Sequence, residues 1–316
     1  MNNSVADECR ICPRCCGAAR TFDHPGLCGA AEPPGCYRVA RLMVHHWEEP
    51  CISGTRGSGT VFFGGCSLGC RFCQNASISR GTVGSLMDTD HLIVEMMKLH
   101  QLKVHNFNLV TPGHYVDRLP FLLEKLQQQP DFRQNPLPII WNSSAYETVD
   151  SINNLSDLVD IWLPDFKFAD AELSFDLANT ADYFTVAAKS IAAMHKMQPK
   201  QVLSNDGLLK RGLIIRHLIL PGNWRDSCRI LDFLAANLPL DISVSLMCQY
   251  TPQPGTGLYE RHPELSRRLT TYEYRKVVDY AFKLGFSNLT GQGRSSADSA
   301  YTPDFSSLWS ERAGDL

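Results

Sequence analysis

The sequence predicts an α/β fold built on a parallel sheet. Two observations carry this. From Thr60 onward, six short apolar runs alternate with stretches of helical spacing, the arrangement that gives parallel strands joined by right-handed crossovers. Composition is the second: 44% hydrophobic and 20% charged residues in a chain of 316. That is an ordinary globular balance, with enough chain for one large domain, alone or with a small appendage.

Residues 1–50 are rich in cysteine, glycine and proline and show little helical or strand periodicity. Thr60–Gly65 is the first expected strand. Leu92, Ile93, Met96, Met97 and Leu99 fall near helical spacing and predict a helix over Asp88–Leu102. Phe107–Thr111 is the second strand, stopped by Pro112-Gly113, and a helix is expected over Val116–Gln128. Leu137–Asn142 is the third, preceded by the turn-forming Asn135-Pro136. Asp160–Phe166 is the fourth, and because Pro164 lacks an amide donor a bulge is expected there. Residues 170–196 read as helix. Leu213–Leu220 is the fifth strand, ending at Pro221-Gly222, with a helix over Arg225–Asn237 behind it. Ile242–Gln249 is the sixth, followed by a loop and the helix Thr271–Leu284. Periodicity alone does not separate an open sheet from a curled barrel.

A net charge of −3 provides no overall basic field for nucleic acid. The first residues are polar and lack the charged-then-apolar pattern of a signal peptide. The longest apolar run, Leu213–Leu220, carries Arg216 and His217 and falls far short of a membrane span. A soluble cytoplasmic protein with no membrane partner is therefore expected. Twelve cysteines in such a chain point to metal binding in a reducing compartment rather than to disulfides. Seven precede Gly54, three are central (Cys66, Cys70 and Cys73), and Cys228 and Cys248 come late.

The central three lie in Gly65-Cys-Ser-Leu-Gly-Cys-Arg-Phe-Cys-Gln-Asn75, directly after the first expected strand. A cubane iron–sulfur cluster normally takes four thiolates. Three leave one iron open, as catalytic metal centres leave a position open. An electron carrier would offer four. Further upstream, Cys9-x2-Cys12-x3-Cys16 with Cys28 has the pair-and-pair form of a four-thiolate site, and Cys15 or Cys36 could replace one ligand. Tetrahedral zinc fits it, and so does a second iron–sulfur cluster. The site is then either a structural clamp on a module too small for its own core or an electron relay.

The cysteine run, with Phe72 before its third cysteine, resembles the cluster loop of the radical S-adenosylmethionine (SAM) superfamily. The likeness is strongest to the branch related to pyruvate formate-lyase activating enzyme. It extends through Trp47-Glu-Glu-Pro-Cys-Ile-Ser-Gly54, Gly57-Ser-Gly-Thr-Val-Phe-Phe-Gly-Gly65 and Leu109-Val-Thr-Pro112, then Leu163-Pro-Asp-Phe-Lys167 and Met247-Cys-Gln-Tyr-Thr-Pro252. The resemblance implies a partial (β/α)6 radical SAM barrel over residues 56–290, a cysteine-rich N-terminal module over 1–55 and a tail or lid over 291–316. It implies a [4Fe–4S] cluster on Cys66, Cys70 and Cys73 that cleaves SAM reductively, and a radical that abstracts a hydrogen atom. The target is then a glycyl-radical enzyme, another peptide or a small molecule, and the electron comes from a reductant such as flavodoxin or ferredoxin. The stretch from Cys73 to Phe107 holds no further cysteine, which excludes the ferredoxin-like insertion some activating enzymes carry there.

In parallel α/β folds, functional groups gather at the carboxyl ends of strands. Thr111 ends the second strand where the family usually carries Gly-Gly-Glu, and this chain departs from that form. His114 and Tyr115 follow, facing a site or simply packing. Asn142 and Ser143 end the third strand at the place of the family's Asp-Thr-Asn-type turn. Asp165 and Lys167 match its Asp-x-Lys, near the SAM carboxylate, and Arg216 aligns with a family arginine. Gln249 and Tyr250 close the sixth strand, where adenine contacts are expected.

Overall fold

The computed structural model describes residues 9–253, 257–291, 303, 305 and 307–309. In chain order these are β1 (Cys36–His45), α1 (Pro50–Ser53), β2 (Ser58–Phe63), β3 (Ser85–Asp88), α2 (Thr89–Gln101), β4 (Phe107–Val110), α3 (Leu119–Gln127) and α4 (Pro130–Gln134). They continue as β5 (Ile139–Ser143), α5 (Val149–Asn153), β6 (Ile161–Pro164), α6 (Ala171–Ala178), α7 (Tyr183–Met197), β7 (Val202–Leu203) and β8 (Leu209–Leu218). The chain closes with α8 (Trp224–Asn237), β9 (Ser243–Met247), α9 (Thr271–Leu284) and β10 (Leu289–Gly291). The result is a mixed α/β fold around one open, largely parallel sheet.

The six expected strands are β2, β4, β5, β6, β8 and β9, and they lie side by side in chain order, every neighbouring pair parallel. Each strand is added at the same edge, so right-handed crossovers carry the helices to one face of the sheet. Alternation along the strands sorts the side chains accordingly. Phe107, Leu109, Trp141, Trp162, Leu213 and Ile215 join the main core with Leu92, Met96, Leu122, Ile191 and Leu234 of the helices. Ile140, Ile161, Leu163 and Ile214 point the other way and meet Ile52 of α1 in a small second core. That face, which carries only the four-residue α1, is where the site lies.

Several elements depart from expectation. β1 runs through the segment read as lacking periodicity, pairing antiparallel with β2 and β3, so residues 36–45 belong to the sheet. Its run of buried positions is nearly continuous, because both faces are covered, and covered strands do not alternate. β10 adds a seventh parallel strand beside β9. The helix expected over 170–196 is two, parted at Asn179, whose left-handed backbone (φ 52°) caps α6. No bulge is recorded at Pro164. Instead β6 stops there, and its pairing with β8 resumes as a bridge between Asp165 and Arg216 in unchanged register. Of the tail read over 291–316, only Gly291 and residues 303, 305 and 307–309 lie within the described part, where the Leu42 amide donates to the Leu308 carbonyl at 2.9 Å. Among the described residues, no helix is long and apolar enough to cross a membrane.

Candidate functional site

At the carboxyl ends of the parallel strands, on the face away from the crossover helices, lies a cavity of about 240 Å³. Its walls include Cys66, Cys70 and Cys73 from the loop after β2, Thr111 after β4, and Asn142 and Ser143 ending β5. Asp165 and Lys167 after β6, Arg216 in β8 and Gln249 after β9 complete the ring. Ten of the residues singled out at strand ends therefore open onto one space. Tyr250 is buried outside its walls, and so are His114 and Tyr115: these two lie beneath the cysteine loop, where a His114 ring nitrogen meets the Gly64 carbonyl at 2.9 Å.

The loop is held from outside. Gly65 has φ 97°, and a Cβ there would stand 2.5 Å from the Cys28 carbonyl oxygen, so only glycine admits this approach. The Cys66 amide donates to that carbonyl at 3.0 Å. Arg14, between the upstream cysteines, donates to the Ser67 and Leu68 carbonyls at 2.9 and 3.0 Å, to Ala178 O at 2.7 Å and to Asn179 O. One planar guanidinium thus ties the loop to the end of α6, whose exposed carbonyls favour a cation. The Arg71 amide adds a bond to Leu177 O at 2.8 Å.

Opposite the thiols is a charged network. Arg216 Nε donates to Asp165 Oδ1 at 2.8 Å, Nη1 to Glu48 Oε2 at 3.0 Å and Nη2 to Asn142 Oδ1. Lys167 Nζ donates to the other oxygen, Asp165 Oδ2, at 2.6 Å. Burial opposes ionisation of Asp165, but Arg216 and Lys167 outweigh it and hold the carboxyl below its ordinary range. Burial likewise opposes charge on Lys167, and Asp165 and the Cys70 thiol outweigh it upward. Burial pushes the Cys73 thiol up to about 11 and Cys70 higher still, with Lys167 pulling both back.

Among the wall residues given no role from sequence are His45, Trp47, Glu48 and Glu49. His45 ends β1, and the other three lie in the link from β1 to α1. Glu48 accepts from Asn108 Nδ2 at 2.8 Å as well as from Arg216. The available signal was a Glu-Glu pair ahead of Pro50, within a segment otherwise apolar or aromatic.

Cys9, Cys12, Cys16 and Cys28 lie outside the cavity. Burial raises Cys12 to about 11 and Cys28 to about 12, and the Cys9 and Cys16 side chains hydrogen-bond to each other. Among the described residues, no three His, Cys, Asp or Glu side chains are arranged to hold a metal ion. That holds for both cysteine groups. Protonated thiols have no mutual attraction, and it is the metal that displaces their protons and gathers them.

No family model matches the chain. The protein MJ0674 of Methanocaldococcus jannaschii, described as uncharacterized, is 30% identical over 284 residues, covering 89% of this chain and 76% of its own. A solved structure of Streptococcus suis SuiB bound to precursor peptide SuiA superposes with a TM-score of 0.49 at 13% identity. That match covers 72% of this chain and 46% of SuiB, so the chain spans less than half of that protein's length.

Proposed function

The chain belongs to the same family as MJ0674 of Methanocaldococcus jannaschii, and we propose that its cavity makes it a radical SAM enzyme. The observation that carries this reading is the joint placement of a Cys-x3-Cys-x2-Cys set and a balanced charged network around one cavity. Three soft thiol donors, with the Lys167 ammonium favouring the ionised form of Cys70 and Cys73, fit an iron–sulfur cluster with one iron open. When bound, a [4Fe–4S] cluster on Cys66, Cys70 and Cys73 would supply the electron that cleaves SAM and so yields a hydrogen-abstracting radical.

The protein's own residues supply position and dryness. Lys167 and Arg216 present two cations, already fixed by Asp165 and Glu48, to a ligand carrying a carboxylate. Asn142, Ser143, Thr111 and Gln249 offer neutral donors and acceptors around the same space. Phe72 and Leu68 exclude water beside the thiols. In this reading the sheet is the partial (β/α)6 barrel of that superfamily, Cys9, Cys12, Cys16 and Cys28 hold zinc or a second cluster, and a flavodoxin or ferredoxin supplies the electron. The substrate is a peptide or protein, a glycyl-radical enzyme among the targets.

The test is anaerobic reconstitution with iron and sulfide, addition of SAM and a one-electron reductant, and assay for 5′-deoxyadenosine. Formation that is lost in Cys70→Ala is expected. A fully clustered protein that forms none would sink the proposal.

A further inference from the structure

Beneath the charged wall, outside the cavity lining, lies a tyrosine that three wall residues share. Tyr183 opens α7 and is fully buried. Its hydroxyl donates to the Asp165 carbonyl at 2.7 Å, with the Ser144 carbonyl at 2.9 Å in reach of the same proton. It accepts from the Lys167 amide at 2.9 Å. Burial raises the phenol well above its ordinary range, so it keeps the proton it donates. Ser144, Asp165 and Lys167 all line the cavity, and the group that joins their backbones stands behind them.

The main chain after β6 shows what that joint does. The Asp165 amide still donates to Ser143 O at the end of β5, and the Phe166 amide to Arg216 O in β8, each at 2.8 Å. Lys167 N–H is the first amide past that pairing, and Tyr183 is what meets it. The same hydroxyl holds the carbonyl of Asp165, whose carboxylate takes the Lys167 ammonium at 2.6 Å. One oxygen therefore fixes the backbone on both sides of the ion pair. Packing fixes that oxygen in turn. The Tyr183 ring meets Phe168 edge-on at 5.3 Å and stacks with Tyr146 at 6.1 Å between centroids, and Phe168 meets Phe72 of the cysteine loop at 6.0 Å. Lysine's stem is long and flexible, so a fixed backbone is what limits where its ammonium can go.

Resting on the radical SAM reading for its ligand, we propose that Tyr183 is a positioning residue: its hydroxyl sets where the Lys167 ammonium stands, and so how tightly the cavity holds a ligand carboxylate. The ring packs, and the hydroxyl positions.

Tyr183→Phe keeps the ring and removes the hydroxyl. Titration calorimetry on the cluster-loaded chain uses two probes, S-adenosylhomocysteine and its decarboxylated analogue, which keeps the amine and the adenosine. The variant should bind the carboxylate-bearing probe about tenfold more weakly, the size of one well-made hydrogen bond, and the decarboxylated one within about twofold of the parent. A merely structural tyrosine would weaken both alike. In the parent chain, the first probe should slow hydrogen exchange of the Lys167 amide and the second should not, because coupling between two sites is reciprocal. Equal loss for both probes, undiminished affinity for S-adenosylhomocysteine, or equal protection of Lys167 by both would overturn the proposal. If Tyr183→Phe does not fold, the exchange in the parent chain decides. A parent chain that binds neither probe refutes the radical SAM reading instead. Tyr183 is then judged by Lys167 exchange alone: about tenfold faster in Tyr183→Phe supports its role, and an unchanged rate overturns it.

Discussion

Replacing Arg14 with alanine should free the cysteine loop while leaving the sheet intact. The guanidinium makes four hydrogen bonds to main-chain carbonyls, two in the loop and two at the end of α6. Bonds to charged groups contribute about 1.5–3 kcal/mol each when dry. Arg14 is only partly buried and water can replace some of them, so about 3 kcal/mol in total is a fair magnitude. That corresponds to a change of roughly a hundredfold in the population of the open loop. Two amides report on it directly. Cys66 N–H donates to Cys28 O and Arg71 N–H to Leu177 O, and both bonds exist only while the loop is docked. Their hydrogen exchange should accelerate by about that hundredfold, while amides of β4 and β5 keep their protection. Arg14→Lys should recover little, because a point charge cannot span four carbonyls as a planar fork does. Unchanged exchange at Cys66 and Arg71 in a folded Arg14→Ala chain would refute the reasoning.

The remaining predictions concern buried charge and backbone fit. Glu147 is enclosed beneath Ser143 and Trp141, and burial raises it from 4.5 to about 7 against those two hydrogen bonds. A raised carboxyl stabilises fully below its unfolded value, and the effect is lost as pH rises through the folded one. Unfolding free energy should therefore fall by about 3 kcal/mol between pH 4.5 and 7 from this group, a slope that Glu147→Gln should abolish in denaturant titrations. Arg216→Met should cost about 3–5 kcal/mol, because it leaves the Glu48 and Asp165 carboxylates without their shared cation. Asp165, held below its ordinary value, stabilises above that value and loses the effect as pH falls through the lowered one, so the variant should also lack this acid limb. Gly65→Ala should cost about 1–3 kcal/mol of backbone strain and push Cys28 off the loop, read as a lower Tm and faster exchange at Cys66; an unchanged Tm would contradict the packing.

What was legible in the sequence was whatever repeats or stands out locally. The six parallel strands announce themselves as apolar runs of β-rich residues bounded by Pro-Gly or Asn-Pro turns, as at Thr111-Pro112-Gly113 and Leu220-Pro221-Gly222. Charged residues inside or just after such runs, Asp165, Lys167 and Arg216, are conspicuous because burying them demands partners. The partners themselves were harder to see. Glu48 meets Arg216 across 168 positions of sequence, and the Glu-Glu pair ahead of Pro50 does not say which partner it meets. β1 escaped notice because enclosure on both faces erased its alternation, and β10 because three residues are too few to show any period. His114 and Tyr115 sit beside a site residue in sequence, but a single turn of tight helix at Gly113–Tyr115 directs both under the loop.

The network on the cavity wall joins two cations to two carboxylates. Asp165 uses one oxygen for Arg216 and the other for Lys167, and Arg216 divides its guanidinium among Asp165, Glu48 and Asn142. Positive and negative charge therefore balance within it, so the network resists being rearranged by a ligand of either sign. A charged ligand can then be attracted only where a cation still presents an unoccupied donor. Both cations do so, Arg216 giving three of a guanidinium's five donors to this network and Lys167 one of an ammonium's three. Lys167 is also the cation that both Cys70 and Cys73 feel. Removing Asp165 would leave Lys167 free to swing toward the thiols and Arg216 to collapse onto Glu48. The carboxylate is therefore what keeps the thiol side and the charged side of the cavity apart, with space between them for a ligand that touches both.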